Sequence, residues 1–179
     1  NTMIVTKPRM TMNSFYQINC QYKRGCIHIE SDTEYDFRKF FSFQDNDISN
    51  SKFKIARGGK FLDLIPFNTS LHFAVSDKMR NIIVENHING IDFFPIRIDN
   101  SVDIWGIMPT SAAGKIENLE RLNNLEDETI EFNTSSWDGS DIFYLQDTLC
   151  LICTPKVKDI LEYNKITNIS FTPCIGMLY

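Results

Sequence analysis

Hydrophobic residues along the chain fall into short blocks, and two of these blocks have the spacing of an amphipathic helix. Each of the two places three apolar residues at i, i+3 and i+4, namely Met79, Ile82 and Ile83 in the first and Val157, Ile160 and Leu161 in the second. Shorter apolar runs before and after each block predict β-strands. The pattern therefore predicts an α+β fold.

The two blocks belong to a longer segment that occurs twice. When the sequence is shifted by 78 positions, residues 63–95 align with residues 141–173 without a gap. The identical pairs include Asp63 and Asp141, Leu71 and Leu149, Lys78 and Lys156, Ile82 and Ile160, Asn86 and Asn164, Ile88 and Ile166, Ile91 and Ile169, Phe93 and Phe171, and Pro95 and Pro173. Because these matches fall on helix ends and on the apolar helix face, we interpret them as a structural repeat.

Each copy is predicted to fold as strand–strand–helix–strand, with the helix packed on one face of a small, mostly antiparallel sheet. Ser76 and Thr154 are predicted N-cap residues, because a hydroxyl there can accept a backbone N–H. Asn86 and Asn164 are predicted to end the two helices, because asparagine tolerates the left-handed backbone conformation common at a helix C-terminus. We expect the two copies to pack about a pseudo-twofold axis.

The remaining segments divide the chain around the two copies. The predicted regions are N-terminal strands and a loop in 1–60, a first repeat in 61–108, an acidic linker with one helix from about Lys115 to Leu122 in 109–140, and a second repeat in 141–179. Together they are expected to form one compact domain. Because proline cannot donate to a ladder, Pro95 and Pro173 are predicted on edge strands or at strand ends.

Composition and charge narrow the classes of partner. The net charge of −5 argues against a nucleic-acid binder, and it favours a basic protein partner or simple solubility. No apolar stretch is long enough for a membrane span, and the opening Asn1-Thr2-Met3-Ile4-Val5 is too short for a signal peptide. Five cysteines form no regular disulfide framework, so we expect a cytoplasmic protein.

Residue types used in catalysis are present, but their spacing indicates no active centre. Cys150 and Cys153 form a C-x-x-C pair inside an apolar run, which favours free core cysteines over a zinc site. The turn Arg57-Gly58-Gly59-Lys60 could contact a phosphate, but a hairpin turn is the simpler explanation. The three histidines are predicted to be structural or exposed, and they are His28, His72 and His87. We therefore predict no catalytic, cofactor-binding or metal-binding residue, and no enzyme.

One polar concentration could bind a partner. It comprises Glu117, Glu120, Glu126, Asp127, Glu128 and Glu131, opposed only by Lys115 and Arg121. Such a segment is either a solvated surface or a docking surface for a basic protein. Trp137, just beyond it, could anchor the same interface or fold back on the core.

The motifs of the two copies resemble a known family. They are Ser76-Asp77-Lys78 at the start of a helix, Phe93-Phe94-Pro95-Ile96, Asp141-Ile142-Phe143 and Ile169-Ser170-Phe171. Over residues 61–173 the chain is similar to the immunity proteins of bacterial polymorphic toxin systems, and among them to the group first described from a myxobacterial immunity protein, long catalogued as a domain of unknown function. It departs from that pattern at Trp105-Gly106-Ile107-Met108.

The resemblance implies an α+β cytoplasmic protein that binds and neutralises a toxin encoded beside it, with no established catalytic residues. Two alternatives remain open. One is an enzyme whose site lies between the two repeats and uses His72 or Cys153, and the other is a non-catalytic scaffold subunit.

Overall fold

The computed structural model of the protein describes residues 11–31, 52–68, 73–98 and 102–178, and it has a mixed α+β fold dominated by strands. The strands are β1 (Thr11–Cys20), β2 (His28–Ser31), β3 (Phe53–Arg57), β4 (Leu64–Pro66), β5 (Phe73–Ser76), β6 (Ile91–Ile98), β7 (Val102–Pro109), β8 (Ala112–Ala113), β9 (Ile130–Asn133), β10 (Ile142–Leu145), β11 (Leu151–Cys153) and β12 (Ile169–Leu178). The helices are α1 (Asp77–Glu85), α2 (Leu119–Asn123) and α3 (Pro155–Tyr163). The predicted α+β class and antiparallel sheets are confirmed.

The strands form three sheets. A four-stranded sheet has the order β4-β5-β7-β6, a six-stranded sheet has the order β8-β10-β11-β1-β12-β9, and β2 pairs with β3. Neighbouring strands are antiparallel except for β8 beside β10 and β9 beside β12. The four-stranded order therefore reappears inside the larger sheet as β10-β11-β1-β12.

In each four-strand set, one internal strand lies outside the strand–strand–helix–strand segment. In the first set β7 lies between β5 and β6, where Trp105 pairs with Val75 on one side and Pro95 on the other. In the second set β1 lies between β11 and β12, where Tyr16 pairs with Cys153 and Pro173. The first described strand, β1, is therefore an internal strand of the sheet that contains the last described strand, β12.

The two strand–strand–helix–strand segments have the same local geometry. The four elements of the first segment begin at residues 64, 73, 77 and 91, and those of the second begin 78 residues later, at 142, 151, 155 and 169. The residues after the helices also agree, because His87 and Lys165 both have positive φ, at 52° and 53°. Asn86 and Asn164 each donate a side-chain N–H back to the helix, to the carbonyls of Ile82 and Ile160.

Each helix also places a cation over aromatic rings of the sheet beneath it. The Arg80 guanidinium lies 4.0 Å from the ring centre of Trp105 in β7, and Lys158 Nζ lies 5.2 Å from that of Tyr16 in β1. Such contacts stabilise by about 0.5–1 kcal/mol where the cation stays partly hydrated. They tie each helix to the strand that fills the centre of its sheet.

The two segments contact each other reciprocally. Asp63, just before β4, accepts hydrogen bonds from the backbone N and Oγ1 of Thr167, both at 2.8 Å. Asp141, just before β10, accepts one from the backbone N of Asn89 at 3.3 Å, and its own N–H donates to Asn89 Oδ1. The backbone repeats the exchange, because Leu64 N donates to Thr167 O and Ile142 N donates to Asn89 O.

Most of the buried apolar residues form one continuous core that contains residues of all three sheets and of α1 and α3, such as Ile29, Ile83 and Leu161. A second cluster lies on the other face of the six-stranded sheet around Phe132 and Phe143, both fully buried. Burial of this apolar area is the main source of stability. In the described ranges no helix is long and apolar enough to cross a membrane.

Several local predictions need correction. Ser76 Oγ caps α1 by accepting the Met79 N–H, as predicted, but Thr154 makes no side-chain cap and α3 relies on Pro155 at its first turn. The helix predicted from Lys115 to Leu122 is the shorter α2. The strand β6 is an edge, as expected for a proline-containing strand, whereas β12 lies between β1 and β9, since β9 pairs only from Cys174 onward.

Two glycines with positive φ allow a controlled test of the junction between the segments. A Cβ at Gly90 (φ 100°) would lie 1.8 Å from the Ile142 carbonyl oxygen, whereas a Cβ at Gly139 (φ 88°) meets nothing within 4 Å. We expect Gly90→Ala to destabilise the protein by about 3 kcal/mol or more and Gly139→Ala by about 1 kcal/mol, because only the first adds a clash to the backbone strain. Urea unfolding of both variants measures the difference; equal losses would contradict the close approach.

A second test concerns Asp63. Burial would raise the pKa of its carboxyl, but hydrogen bonds from Ser76 and Thr167 and the charge of Lys78 outweigh burial and lower that pKa. A lowered pKa contributes stability that is present above the pKa of the unfolded chain and is lost as the pH falls through the folded-state pKa. Asp63→Asn should therefore cost about 2 kcal/mol at neutral pH and progressively less below about pH 4.

The matched control is Asp141→Asn, because Asp141 accepts fewer hydrogen bonds at the corresponding junction. It should cost about 1 kcal/mol or less at neutral pH. Urea unfolding at several pH values measures both variants. A cost for Asp63→Asn that does not change with pH would show that its charge contributes nothing.

Candidate functional site

The predicted acidic segment is an ordered projection of the six-stranded sheet, which we call the acidic arm and define as residues 115–131. It leaves β8, forms α2 and returns as β9. The buried Asn118 holds its two ends together: its Oδ1 accepts the Glu131 N–H, and its Nδ2 donates to Thr129 O. The segment predicted as a linker thus contributes β8 and β9 to the two edges of a sheet.

The carboxylates of the arm fall into two groups. Arg121 lies between Asp127 and Glu131, with nitrogen–oxygen distances of 2.8 Å and 3.0 Å, so these two carboxylates share one cation partner within the arm. The other four side chains are exposed, and no cation of the described residues lies within salt-bridge distance of them; they are Glu117, Glu120, Glu126 and Glu128. The six predicted residues therefore comprise an internal pair and four carboxylates available to solvent.

Two leucines of the arm also face solvent. Leu119, at the start of α2, is 52% exposed, and Leu125, after the helix, is 90% exposed with a positive φ of 57°. A single exposed leucine is ordinary on a protein surface. Two within one short projection, surrounded by free carboxylates, resemble the apolar centre and polar rim of a protein interface.

The remaining predicted residue, Trp137, is half-buried against the second core cluster. Its ring meets Phe15 edge-on at 5.1 Å and lies 5.8 Å from Phe143, and its Nε1 donates to Ser140 O at 3.1 Å. Both its apolar and its polar parts therefore have partners within the fold, and the side chain fixes the loop that follows β9.

A second polar feature lies beyond the end of β1, where the segment after this strand, the start of β2 and the end of β3 surround a cleft of about 390 Å³ that we call the basic cleft. Its lining residues are Tyr22, Lys23, Arg24, Gly25, Cys26, His28, Arg57 and Gly58. None of them is acidic, and no carboxylate of the described residues lies within salt-bridge distance of Lys23, Arg24 or Arg57. The turn Arg57-Gly58-Gly59-Lys60 pairs with residues 25–27, since Gly59 and Lys60 donate to Gly25 O and Ile27 N donates to Lys60 O.

His28 orients the arginine of this cleft. Arg57 Nη2 donates to His28 Nδ1 at 3.2 Å, which places the imidazole proton on Nε2, facing Cys26 Sγ at 3.7 Å. Burial lowers the pKa of His28, and the charge of Arg57 lowers it further. A neutral imidazole with this tautomer is therefore an acceptor for Arg57. The Tyr22 ring stacks on one face of the His28 imidazole, with 5.7 Å between the two ring centres.

A third cleft, of about 260 Å³, lies where the two segments meet and contains two buried serines. Ser140 Oγ donates to Ser111 Oγ at 2.7 Å, and Ser111 Oγ donates to Asp138 Oδ1 at 2.8 Å. Burial would raise the pKa of Asp138, but hydrogen bonds from Ser140 and Ser111 lower it. No histidine, lysine or cysteine lines this cleft in the described part of the chain, and these hydrogen bonds order the loop that follows β9.

Of the two side chains named for an enzyme between the repeats, His72 and Cys153, the described residues include Cys153. Cys153 is fully buried, and its burial raises the pKa of its thiol far above the usual range, which keeps it protonated. His72 lies outside the described residues. His87 is exposed after α1, and among the described residues no group of three His, Cys, Asp or Glu side chains could hold a metal ion.

The acidic arm could be predicted because its carboxylates are close together in the sequence. The basic cleft was not predicted, because Lys23 and Arg24 are distant in sequence from Arg57. The only signal was that both segments carry basic residues beside glycine, in Lys23-Arg24-Gly25 and in Arg57-Gly58-Gly59-Lys60. The turn in the second segment explains its glycines, but it does not account for the convergence of cations.

No protein-family model matches the chain, and no curated protein matches it. The chemistry of the acidic arm and of the basic cleft is therefore the basis on which a function can be assigned.

Proposed function

We propose that this protein is an immunity protein that binds a cognate toxin domain through the acidic arm and neutralises it. The observation that carries the proposal is the surface of the arm, where Leu119 and Leu125 are exposed near four carboxylates that have no cation partner among the described residues. Apolar anchors within a charged rim are the arrangement by which protein interfaces combine affinity with selectivity.

The charge of the arm defines the partner. Free carboxylates attract a basic surface, accelerate its association and repel acidic competitors. Many toxin domains that act on nucleic acids need a basic surface to hold the phosphate backbone. A bound acidic arm would occupy such a surface, so binding itself would inhibit the toxin without any reaction.

The arm is built to hold its shape. Arg121 fixes Asp127 and Glu131, and Asn118 joins the two sides, so the exposed residues are presented by an already ordered segment. A pre-ordered surface loses less conformational entropy on binding. The internal carboxylates thus position the arm, and the external ones are available to the partner.

We also propose that the fold arose from a duplicated unit. The support is the common spacing of 78 residues, the matching helix ends and the reciprocal contacts of Asp63 and Asp141. In this proposal the two units differ in the segments before β4 and before β10, where the basic cleft and the acidic arm lie. Function then resides where the copies have diverged, on a scaffold that they share.

The resemblance to immunity proteins places the complex in the bacterial cytoplasm, where a neighbouring gene would supply the toxin. The first test is co-expression with the product of that gene. A 1:1 complex on size-exclusion chromatography and restored growth of toxin-expressing cells are the expected results. A harmless neighbour, or a toxic one that forms no complex, would refute the proposal.

The arm is then tested by mutation. Glu126→Lys combined with Glu128→Lys should weaken the complex about tenfold or more, with most of the loss in association rate, and Leu125→Asp should increase the dissociation rate. The control is Glu85→Lys, which reverses an exposed charge at the end of α1. Surface plasmon resonance separates the two rates. A complex that tolerates all the arm variants would place the interface elsewhere.

A further inference from the structure

We propose that the basic cleft binds the phosphate group of a small ligand, a function separate from that of the acidic arm. The cleft gathers Lys23, Arg24 and Arg57 around one opening, and its described lining contains no acidic residue. The chain as a whole carries a net charge of −5, so this concentration of positive charge runs against the overall balance. Cations that face one cleft repel one another, and an anion between them removes that repulsion.

The fold does not need these cations. The backbone leaves the ends of β1 and β7 with corresponding hydrogen bonds. Gln21 N donates to Asn168 O after β1, and Thr110 N donates to Gly90 O after β7. The segment that follows β7 carries no cation before Lys115, and it lines the third cleft, which contains the buried Ser111 and Ser140. A turn at this place therefore forms without basic residues, so their presence after β1 requires a reason beyond folding.

The arginine of the cleft is fixed before any ligand arrives. His28 accepts one N–H of Arg57, and the buried imidazole cannot move away because Tyr22 covers it. The guanidinium keeps its other donors for a ligand, and its planar fork fits two oxygens of a phosphate. An oriented donor loses little entropy on binding, which favours a small ligand.

Glycines bring the cationic segments close together. A Cβ at Gly58 would lie 2.0 Å from the Cys26 carbonyl oxygen, so only glycine allows the turn after β3 to approach this segment. Lys60 extends its side chain across Gly25, about 3.5 Å from the position of a Cβ there. Two basic turns distant in sequence are thus held against each other at one opening.

Tyr22 allows two possible ligands, a nucleoside monophosphate and inorganic phosphate, to be distinguished. Its ring is half-exposed at the edge of the cleft and already stacked on His28, so its outer side is open to a planar ring of a ligand. A nucleoside monophosphate would use both the cations and this ring. Inorganic phosphate would use the cations alone.

The test is an NMR titration of the ¹⁵N-labelled full chain with sodium phosphate, with sodium chloride at equal ionic strength as reference. Saturable shifts at residues 22–26 and at the Arg57 side chain, caused by phosphate and not by chloride, are the expected result. Arg57→Ala should weaken phosphate binding about tenfold, since it removes a charge-assisted donor, and Arg97→Ala, a change to an exposed arginine of β6, should leave it unchanged.

Because Arg57 also contacts His28, Arg24→Ala serves as a second variant, since the exposed Arg24 side chain makes no hydrogen bond or ion pair with the described residues, and this variant should weaken binding severalfold. Titration with adenosine monophosphate distinguishes the sources. Tighter binding than phosphate, abolished by Tyr22→Ala, would assign a nucleotide, and equal affinity would assign the bare phosphate group. Shifts that chloride reproduces, or none up to about 20 mM phosphate, would overturn the proposal.

Discussion

The pairing of β1 with both β11 and β12 is the constraint on which the rest of the structure depends. It brings the first described strand into the centre of the six-stranded sheet, in register with β12 from Thr11 opposite Leu178 to Cys20 opposite Ile169. Without β1 the strands β11 and β12 would not be joined, and α3 would lose the ring of Tyr16 that faces Lys158. The position of β1 also determines where the basic cleft forms, because the cleft begins where this strand ends.

The same arrangement explains how one scaffold presents two surfaces of opposite charge. The strands β1 and β7 occupy corresponding places, and each is followed by a segment that crosses to the next pair of strands. The segment after β1 forms the basic cleft, and the segment after β7 leads to the acidic arm. The two segments share the geometry of their helix ends, the contacts of Asp63 and Asp141 and the strand order, whereas the charged surfaces lie in the connecting segments outside the core.

Local features of the fold could be predicted from the sequence, and long-range pairings could not. The spacing of Met79, Ile82 and Ile83 and the cap at Ser76 depend on near neighbours, so α1 was predicted correctly. The insertion of β1 beside β12 depends on residues at opposite ends of the chain, and no periodicity indicates it. Pro173 illustrates the limit, since it predicted an edge strand, yet the parallel pairing of β9 begins one residue later.

The candidate sites divide in the same way. The charge of the acidic arm was visible in the sequence because its residues are contiguous, but the pairing of Asp127 and Glu131 with Arg121 follows from the three-dimensional structure. The central place of β1 also has a consequence for synthesis. A ribosome releases β1 before its two neighbours β11 and β12, so the apolar residues of β1 lack their partners in the sheet until those strands emerge. Such a high contact order favours slow folding, and a chaperone that shields β1 meanwhile would raise the yield of native protein.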